Sequence, residues 1–286
     1  MNLGIRAHDI EKDSLEELAN EIGRKGFSCI QLALGKSLAS LYPSPGSLSP
    51  GLAQYIGNTF GSAGVQIAVL GCYVNLIHPD LSERQKGLEK FKEHIRYARD
   101  FGCSIVGTET GSVLPEMGYS ERNFEEKPFL AAVESVAELA QEAEKFGVIV
   151  GVEAGVNHPV HSADRLKRLL DLVDSNNVQV IFDPANLITV ENYHRQDELL
   201  AEAIHLLGER IAIFHAKDFV IEEDQVKIVP AGQGLLNYSL ISKLLKDRKP
   251  YIQVLMEGTR EPDIDACSDF LKMKFDSRGI GSGLSR

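Results

Sequence analysis

Val148-Ile149-Val150-Gly151-Val152 runs straight into Glu153, and three later stretches repeat the design. Val178-Gln-Val-Ile-Phe182 runs into Asp183, Ile211-Ala-Ile-Phe214 into His215, and Tyr251-Ile-Gln-Val-Leu-Met256 into Glu257. Each run is short, almost continuously apolar and rich in Val and Ile, the composition of a strand covered on both faces. Four upstream runs have the same character: Leu3–Arg6, Cys29–Leu34, Gln66–Gly71 and Ser104–Gly107. Eight strands are therefore predicted.

Amphipathic stretches separate them. Ser14–Lys25 opens on a capping box (Ser14, Glu17) and ends at Gly26. Leu81–Phe101, Phe129–Phe146, Ser162–Val173, Glu191–Leu207, Tyr238–Lys246 and Asp263–Lys272 read as further helices, while Gln54–Ala63 is weakened by Gly57 and Gly61. Strand and helix alternate roughly every 35 residues, which favours the α/β class and a (β/α)8 TIM barrel. An open doubly wound sheet fits less well, because the first strand–helix turn has no Gly-x-Gly-x-x-Gly. One barrel domain is expected over 1–275, with a flexible tail over 276–286 that carries Gly279, Gly281 and Gly283.

Composition narrows the function. A net charge of −11 argues against nucleic acid as a partner, since phosphate affinity comes from Lys and Arg. No apolar run approaches the ~20 residues of a membrane helix, so no membrane partner is expected. The first residues lack a basic-then-apolar leader, and the four cysteines form no CxxC pair, which suits a reduced, cytoplasmic setting.

In a TIM barrel the active site lies at the C-terminal ends of the strands. There, four successive strands end in Glu153, Asp183, His215 and Glu257. Any one of these alone reads as a loop residue, a helix cap or a hydrogen-bonded core histidine. Together they converge on the barrel axis, where three carboxylates repel unless a cation compensates. Oxygen-rich ligation with one imidazole suits one divalent ion, Mn²⁺ before Mg²⁺, Co²⁺ or Zn²⁺.

These residues carry a resemblance. The chain resembles the xylose isomerase-like TIM barrel superfamily, in particular its sugar phosphate isomerase/epimerase group, through Val152-Glu153, Phe182-Asp183-Pro-Ala-Asn186, Phe214-His215-Ala-Lys217-Asp218, Gly232-Gln-Gly234 and Met256-Glu257-Gly258. The likeness extends from Leu3 to about Lys272. It implies that Glu153, Asp183, His215 and Glu257 bind one metal ion and that Glu153 and Glu257 are the acid/base pair. The implied chemistry is proton transfer α to a carbonyl through a metal-stabilised enediolate, with 3-epimerisation of a ketose or keto-sugar favoured. An inosose dehydratase-like lyase and a non-catalytic sugar-binding barrel are the alternatives. Carbohydrate metabolism and a small-molecule sugar partner follow; such barrels often pair as homo-oligomers.

The DNA-repair endonuclease branch of the superfamily is disfavoured. It needs an Asp-x-His before the glycines, where this chain has Val226-Lys227-Ile228, and histidines near Gly71 and Val113 that are absent. Where related epimerases often carry histidine, this chain has Asn186. His8, His158, Asn186 and Lys217 are the candidate substrate-binding residues. Glu109 lies on the same face with its orientation open, His78 either reaches the pocket or caps a turn, and Tyr42-Pro-Ser-Pro-Gly46 is a candidate lid. Gly232-Gln-Gly234 sits where barrels often bind phosphate, although a tight turn explains it more economically.

Overall fold

The computed structural model describes residues 2–246 and 248–275; the expected tail, 276–286, lies outside the described residues. The strands are β1 (Asn2–Arg6), β2 (Cys29–Leu32), β3 (Gln66–Gly71), β4 (Ile105–Glu109), β5 (Ile149–Glu153), β6 (Val178–Phe182), β7 (Ile211–Ala216), β8 (Asp218–Glu222), β9 (Gln225–Val229) and β10 (Gln253–Met256). All but β8 and β9 close into one barrel, in the order β1-β10-β7-β6-β5-β4-β3-β2. Every neighbouring pair in it is parallel. The TIM barrel expected from the alternation is therefore the observed fold.

Helices α1 (Leu15–Arg24), α2 (Leu34–Ser37), α3 (Pro50–Ser62), α4 (Leu81–Tyr97), α5 (Glu126–Phe146), α6 (Ala163–Val173), α7 (Gln196–Leu207), α8 (Tyr238–Lys246) and α9 (Ile264–Phe275) connect the strands. Ser14 caps α1 by accepting from Glu17 N, and Ser162 caps α6 by accepting from Arg165 N. The glycine-interrupted helix is longer than expected. Ser49 caps α3 and Pro50 opens it, while a Cβ on Gly57 would stand 2.7 Å from the Phe101 carbonyl oxygen. That glycine is a close-packing position rather than a break.

Two expectations need correction. The helix read from Glu191 begins only at Gln196, because Asn192 closes a turn first. Its Oδ1 accepts from Thr189 N at 2.8 Å and its Nδ2 donates to Leu187 O at 3.0 Å, a local alternative to helix. The stretch after β7, where no strand is predicted, is the antiparallel hairpin β8–β9. Its turn residues Glu223 and Asp224 both adopt positive φ, 48° and 60°, without the Asn-Gly signal that marks such turns.

The hairpin is anchored by Asp218, which is 1% exposed. Its carboxylate accepts from Phe219 N (2.8 Å), Gly232 N (3.1 Å) and Leu236 N (2.8 Å). Asp218→Ala strands these buried donors and is expected to lower stability by about 3 kcal/mol, read as a shift in the urea midpoint at unchanged slope. A midpoint unaltered within error contradicts this account of the loop.

Two apolar layers hold the barrel. The larger lies between strands and helices; the smaller, with Cys29, Val69, Ile181, Ile213 and Leu255, fills the interior. Gly4, Gly107 and Gly151 belong to the interior layer: Cβ atoms built there would approach Leu255 at 2.7 Å, Ile181 at 2.7 Å and Ile181 at 2.9 Å respectively. Side chains alternate along a strand, so the residue two further on faces inward again. Above this apolar plug, the inward positions are Arg6, Gln31, Gly71, Glu109, Glu153, Asp183, His215 and Glu257. One period of the pleat separates the core from a polar ring.

Candidate metal centre

Glu153, Asp183, His215 and Glu257 each offer a ligand atom to one point, all within 4.8 Å of one another. His215 and Asp183 are buried, at 0% and 2% exposure. His215 Nδ1 stands 3.0 Å from Glu257 Oε2, 3.5 Å from Glu153 Oε2 and 3.8 Å from Asp183 Oδ2. Its Nε2 lies 2.7 Å from Gln31 Oε1, an acceptor, so Nε2 carries the proton and Nδ1 turns its lone pair to the carboxylates in the neutral ring.

The donor set fits a divalent cation. His215 Nδ1 and Asp183 Oδ2 are both buried without a hydrogen-bond partner. Lys217 Nζ comes within 2.8 Å of Asp183 Oδ2, but not along a hydrogen-bonding direction. A metal ion has no such angular demand on a lone pair. The second face of the histidine is also fixed, as metal-binding imidazoles require: Gln31 Nε2 donates to Tyr73 Oη at 2.9 Å, and Tyr73 Oη donates to Glu153 Oε2 at 3.3 Å.

Charge is balanced within the cluster itself. Burial pushes the Asp183 carboxyl up to about 7 against the pull of Lys217. For His215 burial works downward, but Glu153 and Glu257 outweigh it and hold the imidazole up at about 10. Burial would raise Glu257 too; Lys217, His215 and Arg6 overcome it and keep that group well below the ordinary carboxylate range. Protons and ammonium thus offset the three carboxylates.

The four candidate ligands are brought together; the candidate substrate residues have partners of several kinds. Asn186 Nδ2 donates to Glu153 Oε1 at 2.7 Å, so it steadies a glutamate. Lys217 Nζ ends on Asp183 and, at 3.2 Å, on Glu257. His158, 8% exposed, pairs with Glu109: Nε2 lies 3.5 Å from Glu109 Oε2, and Nδ1 is 2.8 Å from the Gly111 carbonyl oxygen. His8 occupies the turn after β1 and lines a cavity of about 690 Å³ with Lys36 and Ser37, outside the ligand cluster. Burial and Arg6 push His8 down to about 4. His78 accepts from Asp80 N at 3.1 Å and closes the turn before α4. The Tyr42–Gly46 loop is pinned rather than hinged: Tyr42 is 5% exposed, and Glu93 accepts from Tyr42 Oη, Gly46 N and Leu48 N.

Sequence reasoning passed over Arg6, Asp9, Gln31 and Tyr73. Arg6 Nη1 donates to Glu257 Oε1 at 2.9 Å, while its Nε and Nη2 grip Asp9 at 2.9 and 3.0 Å. Asp9 Oδ2 in turn accepts from Gly258 N at 3.0 Å, so the end of β1 clamps the end of β10. Polar residues at inward positions of otherwise apolar strands were the available signal for Arg6 and Gln31.

A family model described as a xylose isomerase-like TIM barrel matches residues 17–272. The chain belongs to this family. It is 23% identical over 225 residues to an inosose dehydratase of Geobacillus kaustophilus (strain HTA426), covering 76% of this chain and 66% of the relative, just under two thirds. D-psicose 3-epimerase, solved in the presence of D-fructose, superposes with a TM-score of 0.71 at 16% identity, over 96% of this chain and 99% of that one. The IOLI protein, solved with a bound zinc atom, also gives 0.71, at 17% identity over 96% and 100%. Among the described residues no helix is long and apolar enough to cross a membrane.

Proposed function

We propose that the protein is a divalent-metal-dependent sugar isomerase or epimerase that transfers a proton α to a carbonyl, with 3-epimerisation of a ketose or keto-sugar as the favoured reaction. One observation carries this reading. Glu153 ends β5 and Glu257 directly follows β10, two strands kept apart by β6 and β7, and both reach the same cluster. A substrate held between them has a carboxylate on each side.

A bound divalent ion, Mn²⁺ before Mg²⁺, Co²⁺ or Zn²⁺, supplies Lewis-acid polarisation of the substrate oxygens. Glu153, Asp183, His215 and Glu257 would hold it. One glutamate then removes the α proton, and the other returns a proton to the opposite face; a neighbouring-carbon return would make the enzyme an aldose–ketose isomerase. Arg6 and Asn186 orient the two carboxylates, and Lys217, beside Glu257, and His158, beside Glu109, are the substrate contacts. His8, in the turn after β1, would be a further substrate contact. A non-catalytic sugar-binding barrel has no use for a two-sided carboxylate pair.

Dehydration begins with the same α-deprotonation, and the likeness to an inosose dehydratase favours it as the second reading. NMR of the Mn²⁺-loaded protein in D₂O with ketoses, 3-keto sugars and inosose separates the two. Deuterium at one carbon, dependent on metal and with no water lost, is the expected result. Loss of water would move the assignment to a lyase, and no exchange by the metal-loaded protein across the panel would contradict both.

A further inference from the structure

We propose that the site takes an uncharged polyhydroxylated ketone, a free sugar or cyclitol rather than a sugar phosphate, and that Glu109 and His158 read one of its hydroxyls. This rests on the proton-transfer reading above and narrows its substrate class.

The first support is a phosphate position that the chain fills itself. In barrels of this architecture, the loops after the seventh and eighth barrel strands commonly supply the amides that hold a substrate phosphate. Here the loop after β7 gives its amides to Asp218: Gly232 N and Leu236 N both donate to that buried carboxylate. Gly234 packs so closely over it that a Cβ would stand 2.4 Å from Asp218 Oδ1 and 2.2 Å from the Phe219 carbonyl oxygen. A resident anion occupies the nest, and no room is left for a second.

The second support is charge at the mouth. Asp9, Glu11, Glu109, Glu153, Asp183 and Glu257 are set against Arg6, Lys217, Arg260 and a protonated His158. A divalent ion brings that set to neutrality and leaves no positive charge for a phosphate. The cavity beside His8 does not supply one either, since Glu11, Asp13, Glu17 and Glu21 line it alongside three cationic side chains.

The third is the pair itself. Glu109 is two residues beyond Gly107, whose Cβ would point at Ile181 and Val69 inside the barrel, so its carboxylate faces the mouth. Its side chain is 25% exposed, whereas that of His158 is 10% exposed. His158 Nδ1 can only donate to the Gly111 carbonyl, so Nε2 offers a proton toward the Glu109 carboxylate in the imidazolium form, which Glu109 favours against burial. At 3.5 Å the two stand slightly beyond an ordinary hydrogen bond. An acceptor and a donor so placed bind a hydroxyl, which offers one of each, and the carboxylate repels a phosphate. Burial raises the Glu109 carboxyl, but His158 outweighs it and keeps it ionised.

Calorimetric titration of the Mn²⁺-loaded protein with matched ligands tests this: free ketohexoses and inosose, the same ketohexoses as 6-phosphates, and inorganic phosphate. Free ligands should bind at least about tenfold tighter than their phosphates, with no heat from inorganic phosphate. Glu109→Ala should cost about tenfold in affinity for the free ligand, the scale of a lost charged hydrogen bond. Glu109→Gln should retain most of that affinity while narrowing the gap to the phosphate. Phosphates bound as tightly as free ligands, or free-ligand affinity unchanged in a folded Glu109→Ala protein, would overturn the inference. Binding and α-proton exchange with the phosphates alone would overturn the substrate class and leave the proton-transfer reading standing. Neither class binding would remove both.

Discussion

With Glu153 or Glu257 replaced by glutamine, the metal-loaded protein is expected to lose α-proton exchange by about 10²–10⁴-fold while remaining folded. Glutamine keeps the shape and one carbonyl oxygen, so a ligand atom survives, but it takes no proton. The two losses should differ in character. Glu153 accepts from the neutral donors Asn186 Nδ2 and Tyr73 Oη, and its one charged neighbour at short range is His215, 3.5 Å away. Glu257 lies among Arg6, Lys217 and His215, all of which favour its ionised form in the metal-free protein. Exchange by NMR at saturating Mn²⁺, with thermal melting as the control for folding, checks both variants. Near-wild-type exchange in both would remove the glutamates from the chemistry.

The second large effect is the pH dependence of metal binding. A ligating Asp183 must be ionised and a ligating His215 must be neutral at Nδ1, yet burial sets Asp183 at about 7 and the surrounding carboxylates set His215 at about 10. Binding below pH 7 therefore releases about two protons and between pH 7 and 10 about one. Apparent affinity should rise about a thousandfold from pH 6 to pH 8, and the heat of binding should change with buffer ionisation enthalpy. Stability of the metal-free protein runs the other way. Both groups have folded-state values raised above the ordinary 3.8 and 6.5, so their contributions are full below those values. That of Asp183 is lost as pH rises toward 7, and that of His215 as pH rises toward 10. Glu257, held low, contributes at neutral pH and loses its part as pH falls. Flat affinity across pH 6–8 would contradict this protonation scheme.

Much of this was legible in the sequence because a barrel converts sequence period into position. Polar residues directly after apolar runs identified Glu153, Asp183, His215 and Glu257, since a run ends where the pleat emerges from the core. The same rule applied two residues beyond the interior layer yields Arg6, Gln31 and Glu109. These were harder to read for physical reasons. Gln31 lies within a strand whose neighbours Ile30 and Leu32 are buried outward against helices, so its polarity looked incidental. Arg6 reads as a strand's charged end until the fold brings it 2.9 Å from Glu257, 251 residues away. Glu109 needed the inward direction of Gly107 to settle its side. The hairpin and the role of Asp218 were illegible because both depend on contacts from Asp218 to Gly232 and Leu236 and on an unsignalled turn at Glu223-Asp224.

The most direct test of the central claim is the stoichiometry of divalent-ion binding. Titrating the metal-stripped protein with Mn²⁺ at pH 8, and following free ion by its electron paramagnetic resonance, should give one equivalent per chain in the wild type. Asp183→Ala, which removes the buried carboxylate facing His215, should lower that affinity by about two orders of magnitude or more. One equivalent held equally well by the variant, or none held by the wild type, would contradict a metal centre built from Glu153, Asp183, His215 and Glu257.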